Sequence, residues 1–329
     1  MMKNVCYLGI DIGSVSTNLV VIDENDEIIE KIYIRTRGKP IDVLKTGMGM
    51  LKDRLKNEYK VKGVGTTGSG RRLASVIVGA DIVKNEITAH AVAAKKFIPD
   101  VKTILEIGGQ DSKIIILKDG MVYDFAMNTV CAAGTGAFLD RQASRLEIPI
   151  DEFGGHALRA NSEVRIAGRC AVFAESDMIH KQQTGHNVED IIKGLCNAVV
   201  RNYLNNLAKG KELLAPIVFQ GGVAANIGII KAFEEVLREK IIVPKYYDVM
   251  GAFGASVIAK EKSLKSLQNT QFKGFDLVEK KHRANSLECN DCGNACEIIE
   301  ILQEDSMLAR WGDKCGKWSE AIKATEVVS

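Results

Sequence analysis

Two segments of the sequence combine an acidic residue, glycines and hydroxyl groups in the same order. One is DIGSVST, which begins at Asp11, and the other is EIGGQDS, which begins at Glu106. Glycine allows the backbone to approach a phosphate closely, and backbone N–H groups with Ser and Thr hydroxyls can bind phosphate oxygens. A carboxylate beside such a loop can bind Mg²⁺, usually through water. The pair favours two phosphate-binding loops over the alternative of two ordinary hairpins.

Cysteines are the second group of residues that could do chemistry. Cys131 and Cys170 precede AAGTGAFLDRQASRL and AVFAESDMIHKQQ, so each is expected at the start of a helix. Such residues can be metal ligands or small buried hydrophobic residues. Cys6 and Cys196 lie among apolar neighbours and are expected to serve packing. His90 has no second histidine at the helical metal spacing and is not expected to be a ligand.

The C-terminal segment carries four further thiols. They are Cys289, Cys292, Cys296 and Cys315, of which the first three have the spacing C-x₂-C-x₃-C. Four thiolates suit tetrahedral Zn²⁺ or a second iron–sulfur cluster, and two disulfides or free thiols are the alternatives. The segment EIIEILQE between them is expected to be a short helix over the site. Because so small a segment has little core of its own, a bound metal is expected to order it.

The elements that must position these residues form an internal repeat. Residues 11–30, DIGSVSTNLVVIDENDEIIE, align without a gap with residues 106–125, EIGGQDSKIIILKDGMVYDF. Asp11 matches Glu106, Gly13 matches Gly108, and both copies place an apolar strand before and after the loop. Two copies of a strand–loop–strand unit predict an α/β fold of two similar lobes with a cleft between them.

Helical periodicity in the remaining chain completes the division into domains. The apolar spacing is helical from Asp42 to about Lys56 and from Val188 to about Leu207. The expected divisions are residues 1–97 for lobe I, 98–250 for lobe II with the cluster cysteines, 251–262 for a helix that closes back on lobe I, 263–286 for a linker, and 287–329 for a C-terminal metal-binding appendix.

Composition excludes several classes of function. The 329 residues are 46% hydrophobic and 26% charged, with a formal net charge of +2, which is typical of a globular protein. A chain with so balanced a charge has no excess of positive charge with which to bind nucleic acid or an anionic membrane. No export signal is apparent at the N-terminus, and no apolar run approaches the ~18 residues of a membrane span. A cytoplasmic location is therefore expected, where clustered thiols more often bind metal than form disulfides.

Six motifs resemble those of a known family. They are LGIDIGSVST, EIGGQDSK, NTVCAAGTGAFLD, GRCAVFAESDMI, QGGVAAN and MGAFGAS, and they extend to about residue 262. Their sequence and order resemble the activator ATPases of 2-hydroxyacyl-CoA dehydratases and benzoyl-CoA reductases, within the actin/Hsp70/sugar-kinase superfamily. The resemblance implies duplicated actin-like (ribonuclease H-like) lobes that bind ATP or ADP with Mg²⁺ between two phosphate hairpins.

The resemblance also implies roles for individual residues. Asp11 would orient Mg²⁺, and either Glu106 or Gln110, which faces the γ-phosphate, would position the hydrolytic water. The remaining residues implied at the nucleotide are Gly13, Ser14, Val15, Ser16, Thr17, Asn18, Gly108, Gly109, Asp140, Gly221, Gly222 and Asp248. Asn18 stands where the family often has lysine, and Asp248 where it often has an amide. Losing a cation beside the phosphates weakens charge neutralisation, so nucleotide affinity or turnover is expected to differ from the family's norm.

The cysteine pair has an implied role as well. A [4Fe–4S] cluster normally needs four thiolates, and a twofold homodimer with Cys131 and Cys170 from each protomer provides them. The resemblance implies a one-electron donor that couples ATP hydrolysis to reduction of a partner dehydratase, aryl-CoA reductase or double-cubane-cluster protein. Its own electrons would come from ferredoxin or flavodoxin. Two alternatives are a small-molecule kinase on the same fold and a nucleotide-sensing regulator with a zinc-binding tail.

Overall fold

The fold is known from a computed structural model that describes residues 4–56, 58–128, 131–266 and 268–319. The chain divides into two compact units by its internal contacts. The first unit comprises the described residues of 1–13, 17–84 and 255–329, and the second comprises those of 14–16 and 85–254. The chain therefore passes from one unit to the other between Lys84 and Asn85 and returns between Gly254 and Ala255.

The first unit is built on a five-stranded sheet. Its strands are β1 (Asn4–Ile12), β2 (Ser16–Ile22), β3 (Ile28–Arg35), β4 (Tyr59–Thr67) and β5 (Ile82–Val83). They lie in the order β3-β2-β1-β4-β5, with β1 antiparallel to β2 and parallel to β4. Helices α1 (Pro40–Leu55) and α2 (Arg71–Val78) bury apolar faces against this sheet. The strands and the helix expected from the sequence in this region are confirmed.

The second unit repeats the same sheet order. Its strands are β6 (Thr103–Ile107), β7 (Ser112–Lys118), β8 (Met121–Asn128), β9 (Ile217–Gln220) and β10 (Ile241–Ile242), in the order β10-β9-β6-β7-β8. Ile12 pairs with Thr17 in the first sheet, and Ile107 pairs with Ser112 in the second. These pairs close equivalent hairpins around residues 13–16 and 108–111. The internal repeat inferred from the sequence is therefore present as a structural duplication.

Seven helices complete the described part of the second unit and its return to the first. They are α3 (Glu86–Phe97), α4 (Gly136–Arg145), α5 (Ile150–Leu158), α6 (Ala171–Gln183), α7 (Val188–Leu207), α8 (Ile227–Leu237) and α9 (Met250–Lys265). The α7 bounds match the apolar periodicity from Val188 to Leu207. None of the described helices is long and apolar enough to cross a membrane.

The unit boundary and the C-terminal segment differ from the sequence expectation. Helix α3 belongs to the second unit, so the chain leaves the first unit after Lys84 and not at residue 97. The supposed linker contains the end of α9, which reaches Lys265, and a 3-10 turn at Phe275–Val278. That turn buries Leu277 in the apolar core of the first unit. A linker interpretation based on polar composition missed this anchored turn.

The appendix forms a three-stranded antiparallel sheet. Its strands are β11 (His282–Glu288), β12 (Glu297–Gln303) and β13 (Ser306–Trp311). The expectation that EIIEILQE is a helix is wrong, because this segment is the central strand and pairs on both sides. Ile301 is completely buried and joins the core of the first unit. The appendix therefore gains apolar burial from the first unit and does not depend on a core of its own.

Candidate functional site

Three glycine-rich motifs, far apart in sequence, converge beside the end of β6 in the second unit. The N–H groups of Gly136 and Ala137 donate to the carbonyl oxygens of Gly108 and Gly109, at 2.9 Å and 2.8 Å. A Cβ on Gly221 would collide with the carbonyl oxygen of Ile107. The segments EIGGQDS, AAGTGAF and QGG therefore lie against one another. Only the absence of side chains at these glycines allows so close an approach.

Gly221 is restricted by its backbone as well as by its surroundings. Its φ of +89° lies in the left-handed region that favours glycine. Its N–H donates to the carbonyl oxygen of Tyr247 at 2.9 Å. This hydrogen bond brings the segment that contains Asp248 next to the Gly221–Gly222 turn. The Gly221–Gly222 turn and the segment of Asp248, both of which the resemblance implied at the nucleotide, are thus adjacent.

Residues assigned to the terminal phosphate lie in the loop between β6 and β7. Gln110 is exposed at the tip of this loop, between the glycine pair and Asp111. Asp140 is half-buried in α4, whose first residue is hydrogen-bonded to Gly108. The second unit thus brings the loop glycines, Gln110 and the helix of Asp140 to one place.

Glu106, the penultimate residue of β6, faces a buried cation. Its Oε2 accepts a hydrogen bond from the ammonium of Lys113 at 3.0 Å. Glu106 is only 4% exposed. Burial, reinforced by the charges of Asp111 and Glu86 and opposed by Lys113, raises the pKa of Glu106 to about 8. Glu106 is therefore a carboxyl group that can hold or release a proton near neutral pH.

Lys113 and Glu86 were missed by the sequence reasoning. The Lys113 ammonium also contacts Asp111 Oδ2 and Glu86 Oε2, each at 2.8 Å. These carboxylates raise the pKa of Lys113 above its ordinary value against the opposing effect of burial. The available signal was a lysine inside the apolar strand SKIIILK, since a lysine is almost never fully buried unless it is paired. The partner Glu86 could not be read from the sequence.

The first hairpin lies in the first unit except for its tip, residues 14–16. Thr36 Oγ1 donates to the carbonyl oxygen of Gly13 at 2.9 Å and lies 3.0 Å from Thr17 Oγ1. Asp11 is paired in register with Asn18, and a Cβ on Gly68 would collide with the Asp11 carboxylate. Ser14 is exposed, and Val15 and Ser16 are half-buried. The loop expected at the phosphates is thus a hydroxyl-rich turn supported from β3 and β4.

Cys131 and Cys170 lie at the starts of helical segments, as expected. Cys170 is the residue before α6, whereas Cys131 precedes a 3-10 turn at Ala132–Gly134, and α4 begins only at Gly136. Both thiols are half-buried. The Asn128 side chain accepts from the Cys131 N–H and donates to its carbonyl oxygen, each at 2.9 Å. Thr129 and Val130 of the motif NTVCAAGTG lie outside the described residues.

One side chain of α7 connects the two cysteine loops. The Asn202 amide nitrogen donates to the Gly168 carbonyl oxygen at 2.6 Å and lies 3.8 Å from Cys131 Sγ. Arg201 adds a 2.7 Å hydrogen bond to the carbonyl oxygen of Ile166. The Cys131 thiol in turn lies 3.9 Å from the Arg169 carbonyl oxygen. The two cysteines are therefore neighbours, and Asn202 is a further positioning residue that sequence reasoning missed.

The cysteines and the histidine expected to be inert are deeply buried. Cys6 and Cys196 are at most 1% exposed, and burial raises the pKa of each thiol to about 12. His90 lies in α3 with Nδ1 2.8 Å from Gln220 Nε2, and burial lowers its pKa to about 3. A neutral imidazole that accepts from the amide fits this contact. These three residues serve packing and hydrogen bonding.

The C-terminal cysteines do not form a compact ligand set. The Cys289 N–H donates to the Cys296 carbonyl oxygen at 2.8 Å, and Trp318 Nε1 donates to Cys289 Sγ at 3.3 Å. Cys292 and Cys315 are exposed. In residues 4–319, apart from the short gaps in the description, no group of three or more His, Cys, Asp or Glu side chains is arranged to hold a metal ion. The C-terminal metal site stays a prediction.

Comparison with known proteins gives a consistent result. Residues 8–259 match the BadF/BadG/BcrA/BcrD ATPase family. The 2-hydroxyisocaproyl-CoA dehydratase activator of Clostridioides difficile is 35% identical over 264 residues, which cover 79% of this chain and 96% of that protein. The (R)-2-hydroxyglutaryl-CoA dehydratase activating ATPase of Acidaminococcus fermentans is 32% identical over 258 residues, covering 78% and 98%.

A solved structure agrees with these sequence matches. The activator of the 2-hydroxyisocaproyl-CoA dehydratase from Clostridium difficile, with bound ADPNP, superposes with a TM-score of 0.73 at 32% identity. The match covers 79% of this chain and 96% of that chain. The family match ends at residue 259, before the C-terminal sheet begins.

Proposed function

Because the chain belongs to the BadF/BadG/BcrA/BcrD ATPase family, we propose that it is an ATP-dependent activator that delivers single electrons to a partner iron–sulfur enzyme. The resemblance inferred from its six motifs is confirmed, and so is the actin-like α/β fold. ATP binding follows from the family, whereas the cluster, the dimer and the partner belong to this proposal.

The observation that carries the proposal is the placement of the two thiols. Cys131 and Cys170 lie in neighbouring loops, and Asn202 contacts both loops. The same unit contains the glycine-lined loops assigned to the nucleotide. A rearrangement of those loops can therefore reach the thiols through α4, which begins at Gly136 against Gly108. A kinase reaction alone gives no role to this cysteine pair.

The two cysteine thiols of one chain provide half of the ligands of an iron–sulfur cluster. A [4Fe–4S] cluster takes four thiolates, so Cys131 and Cys170 of two copies would complete the set on a twofold axis. When bound, the cluster would supply one-electron storage at low potential. Val172 and Phe173, which follow Cys170, are 68% and 65% exposed. Such exposed apolar side chains beside the thiols support a surface that a second copy covers.

The nucleotide would be bound by residues of both hairpins. Asp11 would hold Mg²⁺ through water, and Ser14, Ser16 and Thr17 would bind phosphate oxygens through hydroxyl and backbone groups. Gln110 would meet the terminal phosphate, and Glu106 would accept a proton near the attacking water. Further residues proposed to line the site are Gly13, Val15, Asn18, Gly108, Gly109, Asp140, Gly221, Gly222 and Asp248.

The proposed partner is a 2-hydroxyacyl-CoA dehydratase, an aryl-CoA reductase or a double-cubane-cluster protein. A ferredoxin or flavodoxin would reduce the activator, and the reaction would take place in the cytoplasm. The names of the relatives support the first class, because they activate dehydratases of three different 2-hydroxyacyl-CoA substrates.

Anaerobic purification with iron reconstitution tests this function. A brown homodimer is expected, with about four irons, or about eight if each C-terminal segment also holds a cluster. Electron transfer to a dehydratase partner should be fast with ATP and slow with ADP or without nucleotide. The Cys170→Ser variant should lose the irons of the shared cluster, and Cys196→Ser should keep them. A colourless wild-type protein, or equal rates in all three nucleotide conditions, would contradict the proposal.

The same preparation separates the proposed C-terminal metal from the cluster. In a Cys131→Ser/Cys170→Ser double variant, zinc or iron that remains bound would be assigned to Cys289, Cys292, Cys296 and Cys315. Loss of all metal from this variant would contradict the C-terminal site and leave the first cluster proposal unaffected.

A further inference from the structure

The ammonium of Lys113 is enclosed by three carboxylates. Its Nζ lies 2.8 Å from Glu86 Oε2, 2.8 Å from Asp111 Oδ2 and 3.0 Å from Glu106 Oε2. An ammonium has three N–H donors, so each carboxylate can accept one hydrogen bond. The Lys113 side chain is 2% exposed. A charge buried to this degree needs such partners, because removal from water is otherwise very unfavourable.

The three carboxylates come from three different structural elements. Glu86 lies in the first turn of α3, Glu106 near the end of β6, and Asp111 in the loop before β7. Lys113 therefore ties the helix and the strand to the loop that contains Gly108, Gly109 and Gln110. It also fixes both ends of that loop, because Glu106 precedes the glycines and Asp111 follows Gln110.

The first hairpin has a different residue at the equivalent position. Glu106 pairs with Lys113 across β6 and β7, and Asp11 pairs with Asn18 across β1 and β2. The duplicated fold thus carries a cation at this register only in its second copy. Because all three donors of Lys113 face carboxylates, none is left for a phosphate oxygen. The role of Lys113 is therefore to hold the loop and not to bind the nucleotide.

We propose that Lys113 and Glu86 are positioning residues of the ATPase site, which fix the Gly108–Asp111 loop and set the charge of Glu106 where that loop meets the terminal phosphate. This inference rests on the proposed function, because it assigns the Glu106 carboxyl to the hydrolytic water. Glu86 acts only through Lys113 and Glu106, so it is distinct from the residues expected to touch the nucleotide.

The charges around Glu106 decide how it titrates. Lys113 of β7, Asp111 of the loop and Glu86 of α3 face it, and His90 of α3 and Tyr203 of α7, both neutral, lie beside this cluster. Burial is the main reason that the pKa of Glu106 is raised to about 8, with Asp111 and Glu86 acting in the same direction and Lys113 against them. Glu106 therefore takes up a proton at a higher pH than an ordinary glutamate, and the charge of Lys113 favours its carboxylate form.

Two substitutions should move this titration in opposite directions. Glu86→Gln removes an anion, so Glu106 should ionise at a lower pH than in the wild type. Lys113→Met removes the cation, so Glu106 should ionise at a higher pH, whereas Lys113→Arg should restore the wild-type profile. The pH dependence of kcat for ATP hydrolysis and the infrared titration of the buried carboxyl band in the nucleotide-free protein both report the shift. Lys118→Met, on the exposed end of β7, is the matched control and should change neither.

The outcomes separate this inference from the function on which it rests. If Lys113→Met fails to fold, Glu86→Gln alone decides. An unchanged infrared titration in Glu86→Gln overturns the positioning role, whether or not the protein hydrolyses ATP. If Glu86→Gln shifts the infrared titration but the wild-type protein has no ATPase activity, the charge relationship is supported and the proposed function is contradicted instead.

Discussion

The amide nitrogen of Asn202 lies 3.8 Å from the sulfur of Cys131 and is buried in α7. The same nitrogen donates to the carbonyl oxygen of Gly168, two residues before Cys170. The two loops that carry the cysteines are therefore connected by a helix that contains neither of them. A ligand pair that depends on such a bridge can be disturbed without altering either cysteine.

Replacing Asn202 by alanine should weaken both the fold and iron incorporation. Loss of the amide leaves the Gly168 carbonyl without its strongest partner, which costs about 1–3 kcal/mol in the free energy of unfolding. Denaturant unfolding and iron content after reconstitution measure the two effects. Asn205→Ala, at an exposed position of the same helix, is the control. Full iron incorporation in Asn202→Ala would show that the bridge is dispensable.

Gly221→Ala should impair nucleotide binding more than backbone strain alone explains. A Cβ there would collide with the Ile107 carbonyl oxygen, and the φ of +89° is unfavourable for alanine. Gly185→Ala and Gly210→Ala measure the cost of the unfavourable φ alone. Both glycines have positive φ, and a Cβ on either would meet nothing within 4 Å. Affinity for a fluorescent ATP analogue and unfolding free energy should be compared in all three variants. Equal losses in the three would contradict a specific role for the Gly221 turn.

Labelling with iodoacetamide at pH 8 should distinguish the cysteines. Cys6 and Cys196 have pKa values raised by burial to about 12, so about one thiol in ten thousand is ionised, and the thiolate is the reactive form. Exposed Cys292 and Cys315 should be modified in the folded protein, and all eight cysteines after unfolding in urea. Peptide mass analysis reads the pattern, and rapid labelling of Cys6 or Cys196 in the native protein would contradict the assigned packing.

The same two thiols predict a fall in stability at high pH. Folding raises their pKa from the ordinary value of 9.0 to about 12. Their contribution is complete below the unfolded pKa and is lost as the pH rises toward the folded value, because the unfolded chain releases these protons first. Unfolding free energy should therefore decline above pH 9, and Cys196→Ala should reduce that decline if the substitution is accommodated. An identical slope in Cys196→Ala and wild type would contradict this cause.

Ile301→Ala should destabilise the protein even when no metal is present. Ile301 is completely buried in the core of the first unit, and truncation of such a side chain costs about 2–5 kcal/mol. Leu264→Ala, at a side chain that is 70% exposed, is the control. Denaturant unfolding with a chelator present gives the measurement. If Ile301→Ala matched the control, the C-terminal sheet would not share the core of the first unit.

Local features of the sequence predicted much of the fold. The equivalence of DIGSVST and EIGGQDS, the helix from Val188 to Leu207, and the thiols at the starts of helical segments depend on turn residues and apolar spacing within about 20 residues. The prediction of a helix for EIIEILQE was wrong because it also relied on local features. A short run rich in isoleucine suits a helix or a strand. Pairing with β11 and β13 and burial of Ile301 decide in favour of the strand.

The sequence by itself determined the residues that could do chemistry: the acidic glycine loops, Gln110, and the cysteines of two distinctive motifs. Only the tertiary structure decided that Lys113 meets Glu86 and that Asn202 meets Cys131. These pairs lie on different elements, and nothing in local propensity records which buried polar groups will face each other. A buried charge or amide must find its partner wherever packing brings one, and that requirement acts across the whole folded unit.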